Sequence, residues 1–391
     1  MSKGEGLGRA SEIYHDPARR AKELKAEGKR IIGYTCIYAP LEILTALDLF
    51  PYRLRGDIRV PITEADKAFP ASSCPVVRNW FDLACKGRYE FLDGMLGVHS
   101  CDPQEKACHI WKTLIAHPFF PYIDVPHTSH EWSWEQYRGN LKDFIKISES
   151  FAGKSLSPEG LMQSIRLYNQ RRDLVTELYE LRKPDPPLIS GTENLEVMVA
   201  VESIPVEEGI ELLKQVIDEV KERKEGPQKK PVRILLCGAS VDDLAYIELI
   251  ESSGANLVMD DNCVGSRGYF KNVELAEDPL DGIVQHHLVG IRSPRTFMEA
   301  VVGEAWKDRA ADLESRYSYL GDYVKKWKAD GVIFQLVRYC DPFGYELVDA
   351  KDYINSLGTP NIYLEHDYTV GALASLRTRI QAFVETIAPV W

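Results

Sequence analysis

A chain of 391 residues has room for two or three hydrophobic cores rather than one. With 45% hydrophobic and 27% charged residues it has the composition of an ordinary globular protein, and its net charge of −12 argues against a general nucleic-acid or anionic-membrane surface. The polar start "MSKGEGLGRASEIYHDPARR" lacks the apolar stretch of a secretory signal, and no apolar run reaches the ~18 residues of a membrane span. A cytoplasmic protein without membrane or nucleic-acid partners is therefore expected.

Residues 1–29 are read as an N-terminal helical extension. Residues 30–150 then alternate between strand and helix patterns. The strands are "RIIGYTC" (30–36), "YRLRG" (52–56), "DGMLGV" (93–98) and "PYIDVP" (121–126). The helices are "PLEILTALDLF" (40–50), "CPVVRNWFDLACKG" (74–87), "PQEKACHIWKTLIA" (103–116) and a long one over 130–151. Strands separated by helices of this length imply βαβ units and a parallel sheet. Residues 151–230 read as a helical segment and linker. A helix starts at Ser157-Pro158 and is broken by "RKPDPPLISG", and a second runs from about Pro205 to Lys224. The charged "KERKEGPQKKP" (221–231) is the best boundary in the chain. Residues 231–391 return to the α/β pattern, with strands at 232–238, 256–261, 331–340 and 361–367 and a final helix over 371–387.

The chain has eight cysteines and no CxxC pair, so zinc-ribbon and thioredoxin chemistry lack a local signature. In parallel α/β sheets, ligands gather beyond the carboxyl ends of strands. Cys36, Cys101, Cys237, Cys263 and Cys340 fall at or just after expected strand ends, while Cys74 opens a helix, where backbone N–H groups favour a thiolate. Cys85 and Cys108 sit inside helices and read as packing residues, and Cys237 in "LLCGAS" reads as a core thiol. Cys74, Cys101 and Cys340 stand apart, because each is followed by Pro or Asp-Pro, which turns the chain sharply. Thiolates from different segments favour zinc or an iron–sulfur cluster, and three without a local CxxC favour a cluster with one open position. A Cys–His hydrolase would need a positioned base and an oxyanion site. His99, two residues before Cys101, and His109, directly after Cys108, are the features that point that way.

Other residues carry two readings each. Arg267 in "CVGSRGYF" either contacts a ligand phosphate or pairs with an acid. His286-His287 are ordinary histidines or proton donors, and Glu42 and Asp341 are acid–base groups or helix caps. The aromatic run over 119–138 either suits a flat ring or packs between helices. No G-x-x-x-x-G-K-[ST] is present, so the chain is not a P-loop ATPase.

The ordered set "GYTCIYAPLEILTALDLFPYRLRG", "SSCPVVRNWFDLACKG", "DNCVGSRGYF", "DGVIFQLVRYCDPFGYE" and "LEHDYTVGALASLRTRIQAFVE" resembles the 2-hydroxyacyl-CoA dehydratase / benzoyl-CoA reductase family from about residue 30 onward. The resemblance implies two flavodoxin-like parallel-sheet α/β domains plus a helical segment. It implies a [4Fe–4S] cluster held by Cys74, Cys101 and Cys340, with Cys36 a second-tier candidate. It also implies an acyl-CoA substrate, a homologous sister subunit and a separate ATP-hydrolysing iron–sulfur activator. Low-potential electrons would then reduce an aromatic ring or expel a 2-hydroxyl group. "RYCDPFGYE" and "YLEHDY" look closer to benzoyl-CoA reductase subunits, hence benzoyl-CoA as the expected substrate. A dehydratase subunit, an electron-relay subunit and a self-sufficient double-cluster reductase are the alternatives.

Overall fold

The computed structural model describes residues 4–115, 117–300, 303 and 307–389. Nine strands run in chain order: β1 (Arg30–Tyr34), β2 (Leu49–Arg53), β3 (Gly94–Met95), β4 (Gly97–His99), β5 (Tyr122–Asp124), β6 (Val232–Gly238), β7 (Ala255–Asp261), β8 (Gly331–Val337) and β9 (Asn361–His366). Every pairing between them is parallel. The chain is thus α/β, as its alternating pattern implied.

The first sheet has the order β2-β1-β3, and β4 pairs with β5 beside it. Only Leu96 separates β3 from β4, and its N–H bonds to the Gly33 carbonyl, while those of Met95 and Gly97 reach Phe119 and Pro121. The pieces therefore act as one irregular strand, which gives a spatial order of second, first, third, fourth. The second sheet, β7-β6-β8-β9, repeats that order. It is the start of the flavodoxin-like order, in which the strand order reverses beside the first strand and leaves a crevice at the carboxyl edge.

The central strands of the second sheet are buried along their whole length because helices cover both faces. Alternate residues of β6 serve different cores. Ile234 and Leu236 pack with Ile247, Ile250 and Ile380, whereas Leu235 and Cys237 pack with Val197, Met198 and Leu213. The first of these cores also holds Ile31, Tyr52, Trp80 and Cys74, so it is continuous between the two sheets.

Several boundaries differ from the sequence expectation. The second strand is Leu49–Arg53 rather than 52–56, with Pro51 inside it. β2 is an edge strand, where a missing N–H is tolerated. The break after Glu180 is followed by two helices, Gly191–Ser203 and Val206–Glu222, not one. The first of these is buried on nearly every side, so it shows no polar stripe, although Ser190 and Glu193 form a capping box at its start. Three further helices, Pro279–Gln285, Arg309–Lys326 and Asp341–Ser356, lie where the sequence pattern marks none. The N-terminal helices are Glu5–His15 and Arg19–Ala26, and the former packs against the two helices of the middle segment. Among the described residues no helix is long and apolar enough to cross a membrane.

Gly238, at the end of β6, approaches β8 so closely that a Cβ there would lie 2.3 Å from the Gln335 carbonyl oxygen. Backbone cannot swing aside as a side chain can. Gly238→Ala is expected to destabilise the protein by about 1–3 kcal/mol, read from urea unfolding, and an unchanged midpoint would contradict this packing.

Candidate metal centre

Three helices begin at the carboxyl edge of the sheets, and each is capped by a cysteine. Cys74 precedes Pro75–Cys85, Cys101 precedes Asp102–Leu114, and Cys340 precedes Asp341–Ser356. All three helices carry Pro at their first or second position, where its missing N–H costs nothing and its fixed φ starts the helix. The "CP" and "CDP" motifs are thus helix starts. Between β8 and Cys340, Tyr339 adopts φ +62°, a left-handed conformation that is strained for a side-chain-bearing residue. It makes the tight turn from the strand into the helix.

These three cysteines line one cavity of about 940 Å³, part of it open to solvent, together with Cys36 and Cys263. Five of the eight cysteines therefore share one space. Cys36 lies two residues beyond β1 and Cys263 two beyond β7, so the cavity occupies the facing carboxyl edges of both sheets. Cys74 is buried, and the other four are partly exposed.

Burial is the largest influence on each of the three capping thiols, and it pushes their pKa values up. The sulfurs also act on one another. Negative charge on Cys74 and Cys101 raises Cys340, and charge on Cys74 and Cys36 raises Cys101. Opposing this, the N–H groups of Val77, Gln104 and Phe343, each three residues after its cysteine, favour the thiolate. The balance leaves protonated thiols in the absence of a cation, and a bound metal group would displace the protons.

The donor set fits a [4Fe–4S] cluster. It is all sulfur, it comes from three separate segments, and the free N–H groups of three helix starts surround it. No side chain forms a cap hydrogen bond at any of these starts. Such N–H groups can bond to cluster sulfurs and raise the potential.

Nothing in the sequence singles out Arg295. It is buried and lines the cavity, donating to the carbonyls of Ser100 (3.2 Å) and Pro126 (2.7 Å) while its guanidinium lies 4.7 Å from the Tyr38 ring centre. It thereby fixes the segment that leads into Cys101. Cys263 is marked in the sequence by its place after a strand and within "DNCVGSRGYF", but not as a ligand. Its sulfur accepts from Arg267 Nη1 at 3.3 Å, beside the cavity.

Arg267 itself is committed elsewhere, with Nη2 bonded to the Asp261 carboxylate (2.9 Å) and to the carbonyls of Asp261 (2.8 Å) and Gly238 (3.0 Å). The ligand-phosphate reading is corrected accordingly: this side chain is fully buried in an ion pair. Glu42 is likewise buried, 2.5 Å from Arg172, which holds its carboxyl below the usual range in spite of burial. His287 accepts from or donates to the Tyr137 hydroxyl at 2.5 Å, and burial depresses both His286 and His287, so they are neutral. Asp341 lies in the first turn of its helix, where burial and then Asp102 raise its pKa.

No aromatic side chain of the 119–138 run lines the thiol cavity. Phe119 stacks on Phe151 at 4.3 Å and Tyr137 is buried in the core, so these two pack, whereas Tyr122 and Trp132 are exposed. Cys108 is buried and would touch any Cβ placed on Gly97, as packing requires, but Cys85 is exposed at the end of its helix. Cys237 is a core thiol 3.6 Å from Asp261 Oδ2. Outside the cavity, His99, Asp102 and Glu105 bring ligand atoms within 4.8 Å of one another. His99 Nδ1 is engaged by Asp124 at 2.7 Å, and the two acids suit a helix N-terminus without any metal.

Comparison with known proteins shows the family of the chain. The chain is 26% identical over 371 residues to the beta subunit of (R)-phenyllactyl-CoA dehydratase from Clostridium sporogenes, covering 94% of each. It is 25% identical over 395 residues to one of the benzoyl-CoA reductase subunits of Thauera aromatica, covering 99% of each. Against the beta subunit of (R)-2-hydroxyglutaryl-CoA dehydratase from Acidaminococcus fermentans the identity is 20%, over 96% of this chain and 97% of that one. These relatives are named as subunits of enzymes. The family model described as "2-hydroxyglutaryl-CoA dehydratase, D-component" matches residues 36–387, and the chain belongs to that family.

Proposed function

We propose that this chain is the [4Fe–4S]-bearing subunit of an ATP-dependent benzoyl-CoA reductase, with Cys74, Cys101 and Cys340 as the cluster ligands. The observation that carries the reading is the convergence of three helix-capping thiols on one cavity at the carboxyl edges of two parallel sheets. Membership of a family that includes a benzoyl-CoA reductase subunit supports it. When bound, the cluster supplies single low-potential electrons and an iron with an open coordination position.

The residues of this chain do the rest. The three sulfurs hold the cluster, and the N–H groups of Val77, Gln104 and Phe343 stabilise negative charge there. Val77, Trp80 and Phe343 form an apolar wall that restricts water on one side. Arg295, which also lines the cavity, fixes the segment that leads into Cys101. A homologous sister subunit and a separate ATP-hydrolysing iron–sulfur activator complete the system, because the chain has no phosphate-binding P-loop of its own. Ring reduction of an aryl-CoA consumes two electrons and two protons.

The second reading is a 2-hydroxyacyl-CoA dehydratase subunit, favoured by the similarity to the phenyllactyl-CoA enzyme. It would use the same thiols and a recycled electron.

Anaerobically purified protein is expected to be brown and to hold about four iron and four sulfide per chain. Colourless or zinc-loaded protein after anaerobic reconstitution would overturn the reading. Cys340→Ser should lower cluster content several-fold while Cys85→Ser leaves it unchanged, and equal iron in the two variants would defeat the ligand assignment. Benzoyl-CoA should shift the EPR signal of the cluster. A shift with a 2-hydroxyacyl-CoA alone would favour the dehydratase, and no shift with either would favour an electron-relay subunit.

A further inference from the structure

Behind the thiol cavity lies a second one of about 480 Å³, and the two share Cys36, Ile37 and Arg53 in their walls. A third of about 640 Å³ shares Tyr34, Tyr168, Arg171 and Glu202 with the second. It reaches the exposed residues Asp48 and Glu207. The three spaces thus form a row from the protein surface to the thiols, with polar and ionisable side chains along it.

Glu202 stands at the junction of the second and third spaces. Its side chain is 6% exposed and is carried by the buried helix Gly191–Ser203. Oε1 accepts from Arg53 Nη1 at 2.5 Å and from the Tyr269 hydroxyl at 3.3 Å. Oε2 is buried and has no protein partner. Arg171 lies beside it with its guanidinium over the rings of Tyr168 (4.6 Å) and Tyr269 (5.5 Å), and Arg171 Nε is also without a partner. A carboxylate kept for structure alone would use both oxygens. This one leaves one oxygen free beside a polar space.

Several buried ionisable groups along the row keep one protonation state. Arg53 and Arg171 remain guanidinium ions. Burial pushes the phenols of Tyr34, Tyr168 and Tyr269 up, so they keep their protons. Glu42 is held as an anion by Arg172, and His286 and His287 are held neutral. Glu202 is the exception. Burial raises its pKa although Arg53, Arg171 and Tyr269 all oppose the rise.

We propose that Glu202 is a proton-carrying residue on a buried route from solvent, at Asp48 and Glu207, to the thiol-lined cavity. The proposal rests on the reading that the thiols hold an electron-carrying cluster. Each electron added there places negative charge near Arg53, the residue that joins that cavity to Glu202. One proton from bulk water then forms an O–H bond at Oε2, so one positive charge accompanies one negative charge. The proton moves on toward the cavity when the electron leaves for the acyl group. Two such cycles supply the two protons of a ring reduction. A dehydratase would use the same route once, to release hydroxide as water.

The test uses the full chain, prepared anaerobically, with the midpoint potential of its cluster measured against pH. The wild-type potential is expected to fall as pH rises above the usual carboxylate range, and Glu202→Gln should flatten that dependence with iron and sulfide unchanged. Reduced-minus-oxidised infrared spectra should show a carboxylic-acid C=O band that shifts in D2O and is missing from Glu202→Gln. Glu207→Gln, at the exposed mouth, should retain the band. A pH-independent wild-type potential, or a band that survives in Glu202→Gln, would overturn the proposal even if the variant folds poorly, since the wild-type measurement stands by itself. Protein that holds no cluster would overturn the functional reading and this route with it, whereas a cluster with a pH-independent potential would sink the route alone.

Discussion

A parallel sheet brings the carboxyl ends of all its strands to one edge, and the rest of this molecule follows from that constraint. Each strand end must be followed by a crossover, and here the crossover helices begin where the strands stop. Their first N–H groups have no partner within the helix. Two such sheets with the same strand order place Cys36, Cys74, Cys101, Cys263 and Cys340 around one cavity. Residues separated by hundreds of positions in the chain meet because the backbone hydrogen bonds leave them no other edge to occupy.

The surroundings of the thiols are built to tolerate charge without solvating it fully. Arg267 is spent on Asp261, Arg182 on Asp260, Arg172 on Glu42 and Arg53 on Glu202, all of them buried pairs. Such pairs contribute little net stability by themselves because desolvation offsets their attraction. Their effect is positional. Arg267 ties the end of β7 to the end of β6, and Arg182 bonds both Asp260 and the Leu257 carbonyl of β7. The strand ends that present cysteines are thereby fixed in place. The apolar wall formed by Val77, Trp80 and Phe343 keeps the local dielectric low, which strengthens what the helix N–H groups do to the sulfurs.

Much of this arrangement was legible from local chemistry. Strand runs such as "VRILLCG" and "GVIFQLV" are apolar throughout because both faces are covered, and that pattern does not depend on distant residues. The helices after Cys74 and Cys101 were legible in their apolar spacing and first-turn prolines, whereas the helix after Cys340 was not, its proline reading only as a turn at the end of the strand. What was hidden depends on tertiary context. Gly191–Ser203 lacks amphipathic periodicity because almost all of it is buried, and only its capping box marked the start. Arg295 reaches the cavity from a segment with no motif of its own, and Cys263 from a quoted segment in which nothing marks the cysteine as a cavity residue. Arg267 carried two readings, phosphate ligand or ion pair, and the fold decides for the pair with Asp261, adding the Gly238 carbonyl, distant in the chain, as a second acceptor. Glu202 could not be distinguished from any other helical acid until the cavities on either side of it were seen.

The central claim is that three particular thiols share one cluster. Anomalous scattering at the iron edge from crystals grown without oxygen tests it most directly. The account predicts a single compact group of four iron atoms within bonding distance of the sulfurs of Cys74, Cys101 and Cys340. Iron bound instead at Cys36 and Cys263, or at His99 and its neighbouring acids, or no iron at the cavity at all, would contradict it.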